Sequence, residues 1–132
     1  MKGEGRVYWI AALVAAALAA GVGMVPASGP AGAGSRELHI VARDMAFYVE
    51  GQDQPNPTLR FRAGEEVRLV FRNEDAGMDH DFAIRTWGVG TKLLEGPDQD
   101  VVTFRVPPDG EGSGSYACTP HSQMMRGAIA VE

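Results

Sequence analysis

One cysteine and three histidines are present among the 132 residues, and clusters of basic residues are missing. A lone cysteine excludes an internal disulfide. The sequence also lacks the interleaving of aromatic residues with Arg that is typical of nucleic-acid binding. The net charge of −5 instead favours basic partners, or simply solubility. We therefore expect no nucleic-acid partner.

Helical periodicity is missing as well. No apolar pattern with the period of a helix persists over several turns, and prolines break most of the windows long enough for one. These prolines are Pro55, Pro57, Pro97, Pro107 and Pro108. The length leaves room for one domain, because a domain typically takes roughly 100–200 residues.

Short runs of alternating or β-branched apolar residues take the place of helices, with Gly, Pro, Asn and Asp between them. The runs lie at 38–42, 58–62, 67–72, 80–84, 100–106, 114–118 and 127–131. About seven short strands separated by turn residues predict a β-sandwich or a barrel.

The N-terminus does not share this strand pattern. Lys2 and Arg6 precede an uncharged run over 7–35, with small residues at 31–33. A basic start, an apolar centre and a small-residue stretch are typical of a secretory signal peptide. The competing interpretation is an uncleaved membrane anchor, because 7–25 approaches the ~20 residues that span a bilayer. We favour cleavage, since alanine dominates the run and is only weakly apolar.

We therefore divide the chain into two parts. Residues 1–35 form the signal peptide or membrane anchor with a Gly/Ala/Pro linker, and residues 36–132 form the folded domain. Both interpretations of the first part export the domain, to the periplasm or another extracytoplasmic space. The mass of the mature protein distinguishes cleavage from anchoring.

The closing segment of the domain brings the lone thiol near an imidazole and two thioethers. Cys118 stands three residues before His121, and Met124 and Met125 follow directly afterwards. Thiolate and thioether are soft donors that favour copper, and two His, one Cys and a weak axial Met form a blue-copper site. Metal binding would also protect an exported thiol that has no disulfide partner. The competing interpretation of Cys118 is a buried structural cysteine.

Two histidines remain as candidates for the fourth ligand. His80 stands where a polar turn gives way to an apolar strand, so the strand end is rigid while its turn can face the metal loop. His39 lies inside the first predicted strand, and we interpret it as a half-exposed strand histidine. The predicted fourth ligand is therefore His80.

Together these motifs resemble the small blue copper proteins (cupredoxins) of the plastocyanin, pseudoazurin and amicyanin kind. The strongest element is Tyr-Ala-Cys-Thr-Pro-His at 116–121, followed by Met-Arg-Gly at 125–127. His80 and the Gly-Glu-Glu-Val turn at 64–67 support it, and the resemblance extends over 36–132. It implies an all-β fold, a Greek-key two-sheet β-sandwich with one copper ion near one end.

The resemblance also implies the ligands. His80, Cys118 and His121 would be the equatorial ligands and a downstream Met the axial one. In the resembling families the axial Met usually stands two residues before a Gly, a frame that Met125 fits and Met124 does not. We therefore predict Met125, and we expect Met124 to cap the site or pack under the loop.

Asp81 departs from these families, which often have Asn after the first ligand histidine, where its side chain ties the two ligand loops together. The carboxylate of Asp81 can still accept a hydrogen bond from the loop that contains Cys118. Close to the metal, its charge would stabilise Cu(II) and lower the reduction potential.

We predict that the protein is a monomeric electron carrier and not an enzyme. Its partners would be redox proteins such as a cytochrome or a membrane oxidoreductase, met at the exposed edge of His121 beside Met78, Pro120 and Met124. The competing interpretation of these three residues is ordinary loop packing. The alternative is a module that stores copper or delivers it to an exported cuproenzyme, which would hold Cu(I) in a more open site.

Other readings of the same residues fit less well. A Cys–His nucleophile pair would need an orienting group and a substrate cleft, for which about a hundred residues offer little room. Three histidines are too few for a multicopper enzyme, and a binuclear copper site needs a second, bridging cysteine. A structural zinc site usually has Cys and His ligands without Met.

Overall fold

The structure is a computed structural model that describes residues 34–109 and 114–132. The predicted signal peptide or anchor therefore lies outside the described residues, apart from the last two positions of 1–35. Among the described residues, no helix is long and apolar enough to cross a membrane.

Eleven strands and one short 3₁₀ helix, at Arg85–Trp87, make up the regular structure of the described residues. The strands are β1 (Ser35–Arg43), β2 (Ala46–Val49), β3 (Leu59–Phe61), β4 (Glu66–Asn73), β5 (Asp79–His80), β6 (Ala83–Ile84), β7 (Val89–Gly90), β8 (Leu94–Glu95), β9 (Asp98–Arg105), β10 (Ser115–Ala117) and β11 (Arg126–Val131).

Two sheets hold most of these strands. One has the order β2-β1-β4-β9, the other has the order β3-β11-β10-β6-β7, and β5 and β8 form a separate pair. Strands β1 and β4 run parallel, as do β3 and β11, and the remaining pairs are antiparallel. The chain passes repeatedly from one sheet to the other, so the predicted all-β two-sheet sandwich is confirmed.

The apolar faces of both sheets meet in one core. Phe47 of β2 lies at its centre, with its ring centroid 6.2 Å from Phe71, 5.6 Å from Phe82 and 5.5 Å from Tyr116, each in an edge-on arrangement. All four rings are fully buried. Phe82 follows His80 by two residues and Tyr116 precedes Cys118 by two, so this aromatic cluster supports both segments that carry predicted ligands.

The structure has more strands than the roughly seven predicted, since β2, β7 and β8 lie outside the predicted runs and one predicted strand is divided. The predicted strand at 80–84 is divided, because β5 pairs with β8 while β6 pairs with β10 and β7. Strand β2 was not predicted, although it forms a hairpin with β1 across the two-residue turn Asp44–Met45. Both turn residues have positive φ, 51° and 60°, yet neither is the glycine that normally marks such a turn.

Gly127 of β11 lies directly opposite Tyr116 of β10, and a Cβ atom at Gly127 would collide with the Tyr116 ring and hydroxyl. That hydroxyl donates a hydrogen bond of 2.6 Å to the backbone carbonyl of Pro57. Only a glycine lets the ring lie flat across the neighbouring strand and reach this carbonyl.

Replacing Gly127 by Ala should therefore destabilise the protein by about 1–3 kcal/mol, since the ring must move and the core is overpacked. Urea unfolding of the metal-free protein measures the loss. The matched control is Gly90→Ala in β7 of the same sheet, where the added Cβ would lie 3.9 Å from the Phe82 carbonyl oxygen and 4.0 Å from the Ala83 Cβ. Equal unfolding free energies for the two variants would contradict this account of Gly127.

Candidate metal centre

Three elements carry the predicted ligands. His80 ends the short strand β5, Cys118 follows β10 directly, and His121 and Met125 lie on the loop that leads into β11. The antiparallel register pairs Ala117 with Arg126, so that Cys118 and Met125 stand opposite one another where the hairpin opens. Hairpin geometry therefore brings together the first and last of the predicted donors on this loop.

The donor atoms of His80, Cys118 and His121 converge. Cys118 Sγ lies 3.6 Å from His80 Nδ1 and 3.5 Å from His121 Nδ1, and the three donor atoms all lie within 4.8 Å of one another. The two imidazole rings stand edge-on, with centroids 5.0 Å apart. The structure thus brings two nitrogens and one sulfur together, from three of the four residues predicted as ligands.

Hydrogen bonds within the loop hold this arrangement. The backbone N–H of Cys118 donates to the Met125 carbonyl over 2.9 Å, and the N–H of Met125 donates to the His121 carbonyl over 2.9 Å. The N–H of His121 donates to the Cys118 carbonyl over 3.3 Å. The loop is therefore a closed turn whose ends are held by backbone hydrogen bonds.

The two methionines have opposite environments. Met125 is fully buried, whereas Met124 is 57% exposed and therefore does not pack under the loop as one of the two expectations had it. A thioether must face the interior of the site to serve as an axial donor, so burial favours Met125. Asn56 holds this part of the loop from outside: its Nδ2 donates to the Met124 carbonyl over 3.0 Å, and its Oδ1 accepts from the Phe47 N–H over 3.0 Å.

Asp81 links the two ligand segments, as expected from the sequence. Its Oδ1 accepts a hydrogen bond of 2.5 Å from the backbone N–H of Thr119, the residue that follows Cys118. The carboxylate therefore takes the place of the expected Asn. It also brings a negative charge to the edge of the site.

Asp75 is the residue that sequence reasoning missed. Its Oδ2 lies 2.9 Å from Nε2 of His80, the ring nitrogen that faces away from Cys118. Partial burial raises the pKa of Asp75, but hydrogen bonds from the N–H groups of Asp44 and Met45 and from His80 outweigh it and hold the pKa below its usual value. The only sequence signal was an acidic residue in the turn before His80.

Burial is the main influence on the pKa of the Cys118 thiol. Cys118 is fully buried, and this burial raises the pKa of its thiol above the usual value, with the nearby charge of Asp81 acting in the same direction. The thiolate is the form that binds metal, so metal binding at this site must displace a proton.

His39 is separate from this site, as predicted. It lies in β1 with a half-exposed side chain, where Nε2 is 2.6 Å from Glu37 and Nδ1 is 3.4 Å from Glu50. These contacts belong to the outer face of the sheet.

The site opens to solvent on the side of His121. His80 and Cys118 are fully buried, whereas His121 is half-buried. Met78 is 39% exposed and Pro120 is also exposed, so the residues predicted to surround the His121 edge are at the surface.

The donor set distinguishes between metals. A buried thiolate with two imidazoles and a buried thioether nearby suits copper, because the sulfur donors are soft and imidazole binds both oxidation states. Structural zinc sites use Cys and His without Met, and hard cations such as Mg²⁺ or Ca²⁺ require oxygen ligands. The residues present therefore fit a single copper ion.

Comparisons with known proteins agree with this chemistry. The model of the family "Copper binding proteins, plastocyanin/azurin family" matches residues 37–132. Rusticyanin from Thiobacillus ferrooxidans has a TM-score of 0.56 at 22% identity, over 74% of this chain and 77% of its own. Auracyanin A, a "blue" copper protein from the green thermophilic photosynthetic bacterium Chloroflexus aurantiacus, has a TM-score of 0.55 at 20% identity, over 74% of this chain and 99% of its own.

At these identities the two structures show a shared fold. No curated protein matches the sequence with significance. The family match covers the whole of the described sandwich except its first residues, and it includes every residue of the converging donor set. The chain therefore belongs to the copper binding proteins of the plastocyanin/azurin family, and copper is its cofactor.

Proposed function

We propose that this protein carries single electrons, with His80, Cys118 and His121 as equatorial ligands of one copper ion and Met125 as the axial ligand. The observation that supports this most directly is the donor cluster, in which the Cys118 sulfur lies 3.6 Å and 3.5 Å from the two imidazole Nδ1 atoms. Bound copper supplies the Cu(I)/Cu(II) couple. The protein would supply two imidazoles, one thiolate and one thioether, the donor set found in blue-copper electron-transfer sites.

The chain's contribution is to keep the donors still. Cys118 and Met125 are joined by a backbone hydrogen bond, His121 is bonded within the same turn, and Asp81 fixes Thr119 to the segment of His80. Donors that cannot rearrange suit a metal whose charge changes by one unit, because little structure has to move with each electron.

Electrons would enter and leave at the His121 edge. His121 is the half-buried member of the donor set, and Met78, Pro120 and Met124 provide exposed apolar surface at this end. The partners would be redox proteins such as a cytochrome or a membrane oxidoreductase, and the net charge of −5 favours basic ones. On this proposal the protein is a carrier and not an enzyme.

The place of action follows from the N-terminal sequence. A basic start and an apolar, alanine-rich run support export to the periplasm or another extracytoplasmic space, with the segment either cleaved or kept as an anchor. The folded domain at 36–132 would act there as a monomer.

Colour tests the function. Adding Cu(II) to the purified domain should give an intense blue absorption band that disappears on reduction. The band arises from charge transfer between the Cys118 thiolate and Cu(II), so it requires copper to bind at the donor set described above. Optical titration measures both the band and the stoichiometry, expected to be one copper per chain. A complex that is colourless or at once reduced would contradict electron transfer and favour the module that stores or delivers copper.

Exchanging each methionine for leucine tests the axial ligand. Met125→Leu keeps a side chain of similar size but removes the thioether donor, which should destabilise Cu(II) relative to Cu(I) and raise the reduction potential. Each tenfold change in the ratio of Cu(I) affinity to Cu(II) affinity corresponds to about 59 mV for one electron. Met124→Leu is the matched control and should leave the potential unchanged, as measured by voltammetry. A rise in Met124→Leu alone would reverse the assignment.

The charge of Asp81 is tested by Asp81→Asn. An amide oxygen can still accept the Thr119 N–H, so the loop should stay in place while the negative charge is lost. The potential should rise by on the order of tens of millivolts, since the charge favours Cu(II). Asp79→Asn removes an exposed charge that also adjoins His80 in the sequence and should change the potential less. An unchanged potential in Asp81→Asn would sink the hypothesis.

A further inference from the structure

The Asp75 carboxylate is almost fully engaged. Its Oδ1 accepts the N–H of Asp44 over 2.8 Å, and its Oδ2 accepts the N–H of Met45 over 3.2 Å and lies 2.9 Å from His80 Nε2. The Asp75 side chain is 18% exposed and that of His80 is fully buried. Both oxygens therefore face donors, which fixes the carboxylate in one orientation.

The donors come from a turn that few residues would adopt. Asp44 and Met45 connect β1 to β2 and have φ values of 51° and 60°. Positive φ is unfavourable for a residue such as Met unless other interactions require it. Here the turn points two adjacent N–H groups at the Asp75 carboxylate, which accepts a hydrogen bond from each of them.

Asp75 is also held from its own backbone. Its N–H donates to Oδ1 of Asn73 over 3.0 Å. Asn73 is fully buried at the end of β4, and its Nδ2 donates to the carbonyls of Met78 and Leu94 over 2.7 Å and 2.8 Å. The turn that presents Asp75 to His80 is thus fastened to β4 and to β8, the strand that pairs with β5.

This geometry determines which nitrogen of His80 carries the proton. A carboxylate that accepts two backbone N–H groups can meet His80 only as an acceptor, so Nε2 must be the N–H nitrogen. The lone pair is then on Nδ1, the atom 3.6 Å from Cys118 Sγ. Partners of this kind fix the tautomer and ring orientation of a metal-binding histidine and raise its basicity.

We propose that Asp75 is a positioning residue that presents Nδ1 of His80 to copper and stabilises Cu(II), with the Asp44–Met45 turn holding the carboxylate in place. The inference rests on the proposed role of His80 as a ligand. It extends the copper site to the β1–β2 hairpin, whose turn lies about thirty residues earlier in the chain.

Asp75→Asn is the informative substitution, because an amide cannot replace this carboxylate. All three partners are donors, and one of the two amide atoms is an NH₂ group, which must face a donor in either orientation. If it faces His80, the amide favours the wrong tautomer, with the proton on Nδ1. We expect Cu(II) affinity to fall about 10–100-fold. Cu(I) affinity should fall less, so the reduction potential should rise.

The control is Asp79→Asn, which removes the same charge from the exposed residue next to His80 without touching this hydrogen-bond network. We expect its Cu(II) affinity to change less than about threefold, since an exposed charge is screened. Equal losses of affinity in the two variants would show a general charge effect and overturn the positioning role. Unchanged affinity and potential in Asp75→Asn, with lower thermal stability alone, would assign Asp75 a structural role and also overturn it.

The unsubstituted protein gives a test that does not depend on a variant that folds. In the diamagnetic Cu(I) form, long-range ¹H–¹⁵N spectra should show metal-bound Nδ1 at both His80 and His121. The Nε2 proton of His80 should exchange with water much more slowly than that of half-exposed His121. Equally fast exchange would overturn the inference while leaving the proposed function intact, and a His80 ring without metal at Nδ1 would overturn both.

Discussion

The backbone hydrogen bond from the Cys118 N–H to the Met125 carbonyl, 2.9 Å long, is the interaction on which the site depends. It continues the β10–β11 ladder by one pair and closes the loop that carries His121. Tyr116 pairs with Gly127, and its ring lies across that glycine while its hydroxyl donates to the Pro57 carbonyl. A slip in register would place a residue with a side chain under the ring and break this packing. The core of the sandwich thereby sets the register, and the register places Cys118 opposite Met125.

The second constraint acts on the other side of the site, where His80 arrives from a different part of the chain. Two carboxylates flank it: Asp81 fastens the backbone after Cys118, and Asp75 faces the remote ring nitrogen. The Asp81 contact joins residues 38 positions apart and the Asp75 contact joins residues 5 positions apart, and both place negative charge beside a site that gains positive charge on oxidation. The supporting residues thus combine geometry with electrostatics, and on the proposed function the same carboxylates that hold the donors would also favour the oxidised metal.

Much of this could be predicted, and the remainder shows why sequence has limits. Cys118, His121 and Met125 could be recognised as candidate ligands from the sequence because one hairpin loop holds them. The glycine of the Met-x-Gly frame has a physical reason in this chain, since the Tyr116 ring lies against Gly127. His80 could be recognised as a candidate ligand from its place at a strand end. Asp75 could not be recognised, because its partners Asp44 and Met45 are about thirty positions away and form a turn without glycine. Local patterns report hairpins, whereas contacts between distant turns leave no periodic signal.

The two histidines of the donor cluster differ in burial and in their hydrogen-bond partners, so the site has one enclosed side and one side open to solvent. His80 is fully buried and backed by a carboxylate that is itself fastened to β4 and to the β1–β2 turn. His121 is half-buried and lies on the exposed loop with Met124. On the proposed function, the rigid side keeps the metal environment constant while the open side lets a partner approach. Thioether and proline surface around His121 can be desolvated at low cost, so contact at this edge needs no rearrangement of the donors behind it.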